Sequence, residues 1–113
     1  MRVDEFRKEV RTACLSLNLP EARVIQERVG SVKLRIELSR YRFIDVYFNE
    51  RTGTLNSALL EKGRRILGIN GYQKRVWHMH PFGRAREHIT VRPMRIEKVL
   101  RQYALFLRKK SPA

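Results

Sequence analysis

The chain has 113 residues, of which 25 are Lys or Arg and 11 are Asp or Glu, giving a net charge of +14 with the three histidines neutral. With 42% apolar residues, six Gly and four Pro, the composition excludes a disordered chain, and the length suits one domain, 1–113, around one core. A single cysteine excludes an internal disulfide framework, no apolar run approaches the roughly 20 residues that span a bilayer, and the charged N-terminus lacks the apolar stretch of a signal peptide. A cytoplasmic protein with no membrane partner is expected.

From Val3 to Leu17, the residues Val3, Phe6, Val10, Ala13, Cys14 and Leu17 recur at helical spacing opposite Arg7, Lys8 and Arg11, which predicts an amphipathic helix ending before Pro20. Between Arg23 and Thr90 the period changes to two, with Gly and Asn at the breaks, as in an antiparallel meander. In Val32–Ser39 the residues Val32, Leu34, Ile36 and Leu38 alternate with Lys33, Arg35, Glu37 and Ser39, the pattern of a strand with one buried face. Phe43–Phe48 follows, burying Ile44, Val46 and Phe48, and Asn49 to Gly53 reads as a turn. Further strands are expected at Leu55–Glu61, at Arg64–Leu67 after Lys62-Gly63, and at Lys74–His80 after a turn at Asn70-Gly71. A last helix opens at Pro93 and runs to Lys110, with Ile96, Val99, Leu100, Tyr103, Phe106 and Leu107 as its apolar stripe. The expected fold is α+β, a five- to six-stranded antiparallel meander with both helices on the same sheet face.

Charge is distributed unevenly along this plan. Residues 1–61 carry 11 basic and nine acidic groups (11 − 9 = +2), and residues 62–113 carry 14 and two (14 − 2 = +12). Eighteen of the cations are Arg, whose planar fork suits bidentate phosphate binding. RNA or another nucleic acid is the expected partner.

Two constellations carry candidate chemistry. A three-residue loop, Arg40-Tyr41-Arg42, keeps both apolar sets of the first hairpin on one face, with Leu38 facing Ile44 and Ile36 facing Val46. On the open face Glu37 then lies opposite Asp45, and Arg35 opposite Tyr47. Two such acids either assist acid–base chemistry or hold a divalent metal, or they are solvated residues paired with neighbouring arginines. The second constellation is Trp77-His78-Met79-His80-Pro81-Phe82-Gly83 with His88, which holds every histidine of the chain. In a strand His78 and His80 share one side, while Trp77 and Met79 take the other, core side. The histidines are candidate ligands of a transition metal, or an acid–base pair for RNA cleavage in which one imidazole takes the 2′-hydroxyl proton and another protonates the leaving oxygen. Arg84, Arg86 and Arg92 around His88 would fix phosphate register. Tyr72, Trp77 and Phe82 are candidate stacking platforms, and Cys14 belongs to the buried stripe of the first helix.

The run Glu37, Asp45-Val46-Tyr47-Phe48-Asn49, Thr52-Gly53, Gly63, Arg65-Ile66 and Gly68, followed by Trp77-His78-Met79-His80-Pro81, resembles the TumE-like family, the toxin component of toxin–antitoxin systems. The likeness spans residues 32–90. It implies a growth-inhibiting protein acting on RNA or translation and neutralised by a partner antitoxin. The histidine clusters of some members are longer than His78, His80 and His88 here, which favours an acid–base pair over a metal site.

The leading expectation is therefore a metal-independent endoribonuclease. His78 and His80 form its acid–base pair, His88 supports them, and Glu37 and Asp45 orient them. Arg35, Tyr47, Arg64, Arg65, Lys74, Arg75, Arg84, Arg86 and Arg92 bind the nucleic acid, and no cofactor is required. The alternative is a non-catalytic nucleic-acid-binding protein that uses the basic C-terminal half. A metal-dependent nuclease built on Glu37, Asp45 and the histidines is a third.

Overall fold

The computed structural model describes residues 1–71, 77–84 and 86–110. Helix α1 (Val3–Ser16) precedes strands β1 (Arg23–Arg28), β2 (Ser31–Ser39), β3 (Arg42–Asn49), β4 (Thr54–Glu61), β5 (Arg64–Gly71), β6 (Trp77–His80) and β7 (Ile89–Val91), and helix α2 (Ile96–Lys110) follows. The strands form one antiparallel sheet in chain order, each paired with its sequence neighbour.

Both helices and one face of this sheet share a single core. Acidic residues Asp4 and Glu5 lie in the first turn of α1, where they complement the helix dipole, and Glu5 Oε1 accepts from the Arg2 N–H. The helix ends as Asn18 turns to a φ of 57° and the Leu19 N–H reaches the Cys14 carbonyl at 2.9 Å. From α1, Phe6, Val10, Ala13 and Cys14 are buried, and from α2 Ile96, Val99, Leu100 and Tyr103. They meet Val32, Leu34, Ile36, Ile44, Val46, Phe48, Leu59 and Ile69 of the sheet. Phe6 stacks on Phe48 with ring centroids 4.8 Å apart. Each fully buried side chain of this size contributes about 1.5–3 kcal/mol on leaving water. Arg95, just before α2, pairs with Glu9 of α1 and ties the two helices together.

The α+β plan matches the expectation, with four differences. Among the described residues the strand count is seven rather than five or six, because Ile89–Val91 adds a short edge strand beyond β6 and Arg23–Arg28 one beyond β2. Asn70-Gly71 continues β5 instead of turning: Gly71 pairs with Leu55, and a Cβ on it would come within 2.0 Å of the Trp77 indole. The bare backbone there is required by the tryptophan above it. Helix α2 begins at Ile96, not Pro93, with the Arg95 carbonyl accepting from the N–H groups of Lys98 and Val99.

The first hairpin is shifted by two residues. Arg35 pairs with Asp45, Ile36 with Ile44 and Glu37 with Phe43, and a bulge between Glu37 and Ser39 absorbs the difference. A two-residue slip keeps each face intact, so the buried set is as expected while the partners on the open face change. At Lys62-Gly63 both residues are left-handed, with φ of 52° and 78°, the backbone of the two-residue hairpin turn expected there.

Candidate functional site

The sheet face turned away from the helices carries two rows of side chains that run across the strands. Successive pairings join Gln26, Lys33, Tyr47, Asn56, Asn70, His78 and Thr90 into one row. They join Arg23, Arg35, Asp45, Ala58, Gly68 and His80 into the next. Neighbouring strands lie about 4.8 Å apart, so about 19 Å separates Lys33 on β2 from His78 on β6. The small residues Ala58 and Gly68 leave the middle of the face low. An open trough of about 820 Å³ results, lined by Gln26, Lys33, Asp45, Tyr47, Asn56, Ala58, Leu60, Arg64, Arg65 and Asn70 among others.

At one end of these rows stand the histidines. His78 and His80 share the open face of β6 by strand alternation, and the β6–β7 pairing of Met79 with Ile89 brings His88 beside them. Ring centroids are 5.1 Å apart for His78 and His80, 4.7 Å for His78 and His88, and 4.4 Å for His80 and His88. One ring nitrogen from each lies within 4.8 Å of the others. His80 is buried, His78 half-buried and His88 exposed. Burial, then the neighbouring His88 and Arg65, hold the His78 imidazole below its ordinary pKa, so it favours the neutral form.

Arg65 determines the state of His80. It leaves β5 at a bulge beside Gly68, and its Cδ lies 3.1 Å from the position a Cβ on Gly68 would take. Its Nη2 reaches His80 Nδ1 at 3.3 Å. A guanidinium only donates, so Nδ1 accepts, and a neutral His80 carries its proton on Nε2.

The carboxylates are not part of this cluster. Asp45 accepts from Arg35 Nε at 2.8 Å and from Arg35 Nη2 at 3.0 Å, with Lys33 Nζ 4.0 Å away. It sits on β3, three strands and about 14 Å from His80 on β6. Glu37 pairs with Arg23 at the outer edge, because the two-residue shift moves it away from Asp45. The expected juxtaposition of Glu37 with Asp45, and of both with the histidines, is therefore corrected by the hairpin register. Arg35 is committed to Asp45 and to the Phe43 ring, 4.3 Å from its centroid, rather than open to phosphate.

Of the other expected contact residues, Tyr47, Arg64 and Arg65 line the trough. Arg86 and Arg92 are exposed near the histidine end, and Arg84 pairs with Glu87 at 3.0 Å. Trp77 lies in the core, and Phe82 packs against Phe106 with centroids 5.2 Å apart. Lys74, Arg75 and Tyr72 lie outside the described residues. Lys33, Asn56, Ala58 and Asn70 escaped the sequence reading, although the period-two pattern already assigned Lys33 to the open face.

Searches of protein-family models, curated proteins and solved structures return no match.

Proposed function

We propose that the open face is a ribonuclease site in which histidines transfer protons without a bound metal, the activity of a toxin-type endoribonuclease. The convergence of all three histidines at one end of a polar, arginine-rimmed trough carries this reading. His78, favoured in its neutral form, takes the 2′-hydroxyl proton as that oxygen attacks phosphorus. His88, exposed at the end of the trough, serves as the acid and gives a proton to the departing 5′-oxygen as the P–O bond breaks. The products are a 2′,3′-cyclic phosphate and a 5′-hydroxyl. His80, buried and held at Nδ1 by Arg65, suits positioning the other two rings better than the proton shuttle expected for it from the sequence.

The chemistry around His80 also favours this over a metal centre. Three imidazoles within 4.8 Å are a donor set that zinc-class ions use, but a ligating histidine hands its other N–H to an acceptor, whereas the second nitrogen of His80 meets the donor-only Arg65. The likeness to TumE-like toxins supports growth inhibition and a neutralising antitoxin as the cellular context.

Incubation with RNA in excess chelator tests the assignment. The wild-type protein is expected to cleave with 2′,3′-cyclic phosphate ends, and His78→Ala and His88→Ala each to lose at least about 100-fold in rate. The acid limb of the rate profile should fall below pH 6.5, the ordinary imidazole value, because the His78 pKa is lowered. RNA binding with a steep salt dependence but no cleavage under any metal condition would leave the non-catalytic binding protein as the correct reading. Cleavage that stops on chelation and returns with added divalent ion would replace proton transfer by metal catalysis.

A further inference from the structure

We propose that the trough over Ala58 is a nucleotide subsite for single-stranded RNA, taking a uracil or guanine base next to the phosphate held at the histidines. The location rests on the ribonuclease reading; the binding of the base does not.

Hydrogen-bond accounting on the trough walls defines the ligand. Asn70 Oδ1 accepts from the Ser57 N–H at 3.1 Å, so the Asn70 amide is fixed, and among the described residues its two Nδ2 protons are left for a ligand. Asn49 Oδ1 accepts from the N–H groups of Arg51 and Thr52, which fixes the flip of that amide. Its Nδ2 therefore donates to the Tyr47 hydroxyl at 3.2 Å, leaving the hydroxyl proton free to donate. Asp45 is the sole carboxylate among the lining residues, and both its oxygens are taken by Arg35. The fixed polar groups of the walls are thus donors, while the amides of Gln26 and Asn56, with no bond among the described residues, can turn either an oxygen or a nitrogen to the ligand.

Uracil and guanine each present a carbonyl oxygen to these donors beside a ring N–H that an amide oxygen of Asn56 or Gln26 can accept, whereas adenine has no carbonyl oxygen to offer them. Ala58 and Leu60 form an apolar floor for a ring, and Arg64 at the opposite rim suits a neighbouring phosphate of the same strand. Asn70 and His78 are cross-strand neighbours, so a base in the trough brings its own phosphate to the histidines. A duplex cannot enter, since its base edges are paired and stacked.

The test uses uridine, guanosine and adenosine 3′-monophosphates, with inorganic phosphate alone, titrated into the full chain by calorimetry. Uridine or guanosine 3′-monophosphate should bind at least tenfold tighter than phosphate and at least threefold tighter than adenosine 3′-monophosphate. Ala58→Leu, which fills the floor, should remove at least tenfold of that affinity. Asn70→Asp keeps the acceptor for the Ser57 N–H but replaces the donor, and should abolish the preference over adenine even if Ala58→Leu fails to fold. Nucleotides that bind no better than phosphate, or a preference unchanged in folded Asn70→Asp, would overturn the subsite. Base-dependent binding without RNA cleavage upholds the subsite and removes the ribonuclease reading; RNA cleavage with no base contribution does the reverse.

Discussion

Arg35 and Asp45 stand opposite each other on β2 and β3 and meet through two parallel hydrogen bonds of 2.8 and 3.0 Å, with 8% of the Asp45 side chain exposed. This fork holds the β2–β3 side of the open face and raises the Arg35 pKa through the bond to Asp45. Arg35→Ala strands the largely buried Asp45 carboxylate and should cost about 3 kcal/mol in urea denaturation. The double variant Asp45→Ala with Arg35→Ala should cost at least about 1 kcal/mol less than the sum of the singles. Strict additivity would show the pair to be energetically idle.

Trp77, the only tryptophan, lies over Gly71, where an added Cβ would sit 2.0 Å from the indole. Backbone cannot yield by that much, so Gly71→Ala must push the ring out of the core. A loss of about 3 kcal/mol is expected, with a red shift of the fluorescence as Trp77 meets water. Unchanged emission would mean that the ring does not occupy this place.

Tyr103 of α2 is fully buried, and its hydroxyl lies 2.7 Å from Ser57 Oγ. Because Ser57 donates its own proton to the Ile69 carbonyl at 2.7 Å, the tyrosine must be the donor. Tyr103→Phe removes that proton and leaves the ring in place, at a cost of about 1 kcal/mol. The amide of Asn70, held by the Ser57 N–H on the other side of the same strand, should shift in the NMR spectrum.

Burial pushes the Cys14 thiol up to about 11 from an ordinary value of 9.0. At pH 8 the folded protein should react with iodoacetamide at least about a hundredfold more slowly than the unfolded chain, two units of pKa being two decades of thiolate. The folded state holds this proton more tightly, so the contribution to stability is complete below pH 9 and is lost as pH rises towards 11. Denaturation midpoints across that range, compared with Cys14→Ala, check the sign.

The buried faces were legible in the amino-acid sequence because period two in Val32–Ser39 and Phe43–Phe48 dictates which side chains turn inward. The pairing step was not, since a slip of two residues preserves that pattern and only the bulge near Leu38 decides between registers. Strand β1 is a largely exposed edge whose pairing is broken by a bulge at Ile25, and β7 spans only three residues, so neither carries a strong periodic signal. Asn70-Gly71 has the local chemistry of a turn, which packing under Trp77 overrides. His78 and His80 could be matched from their spacing alone. His88 was grouped with them by its nearness in sequence and meets them through the single β6–β7 pairing, whereas Asn56 and Ala58 join the site only through registers accumulated over several hairpins.

Helix α2 supplies Ile96, Val99, Leu100 and Tyr103 to a core whose other wall is built from residues up to Trp77. During synthesis, the whole meander can pair strand by strand as it leaves the ribosome, yet its apolar side lacks half its cover until residue 107 has emerged. The polar side needs no such cover. A nascent chain stalled before α2 would thus present a finished-looking histidine face on a sheet with a greasy back, a species prone to capture by chaperones or to self-association before the protein is whole.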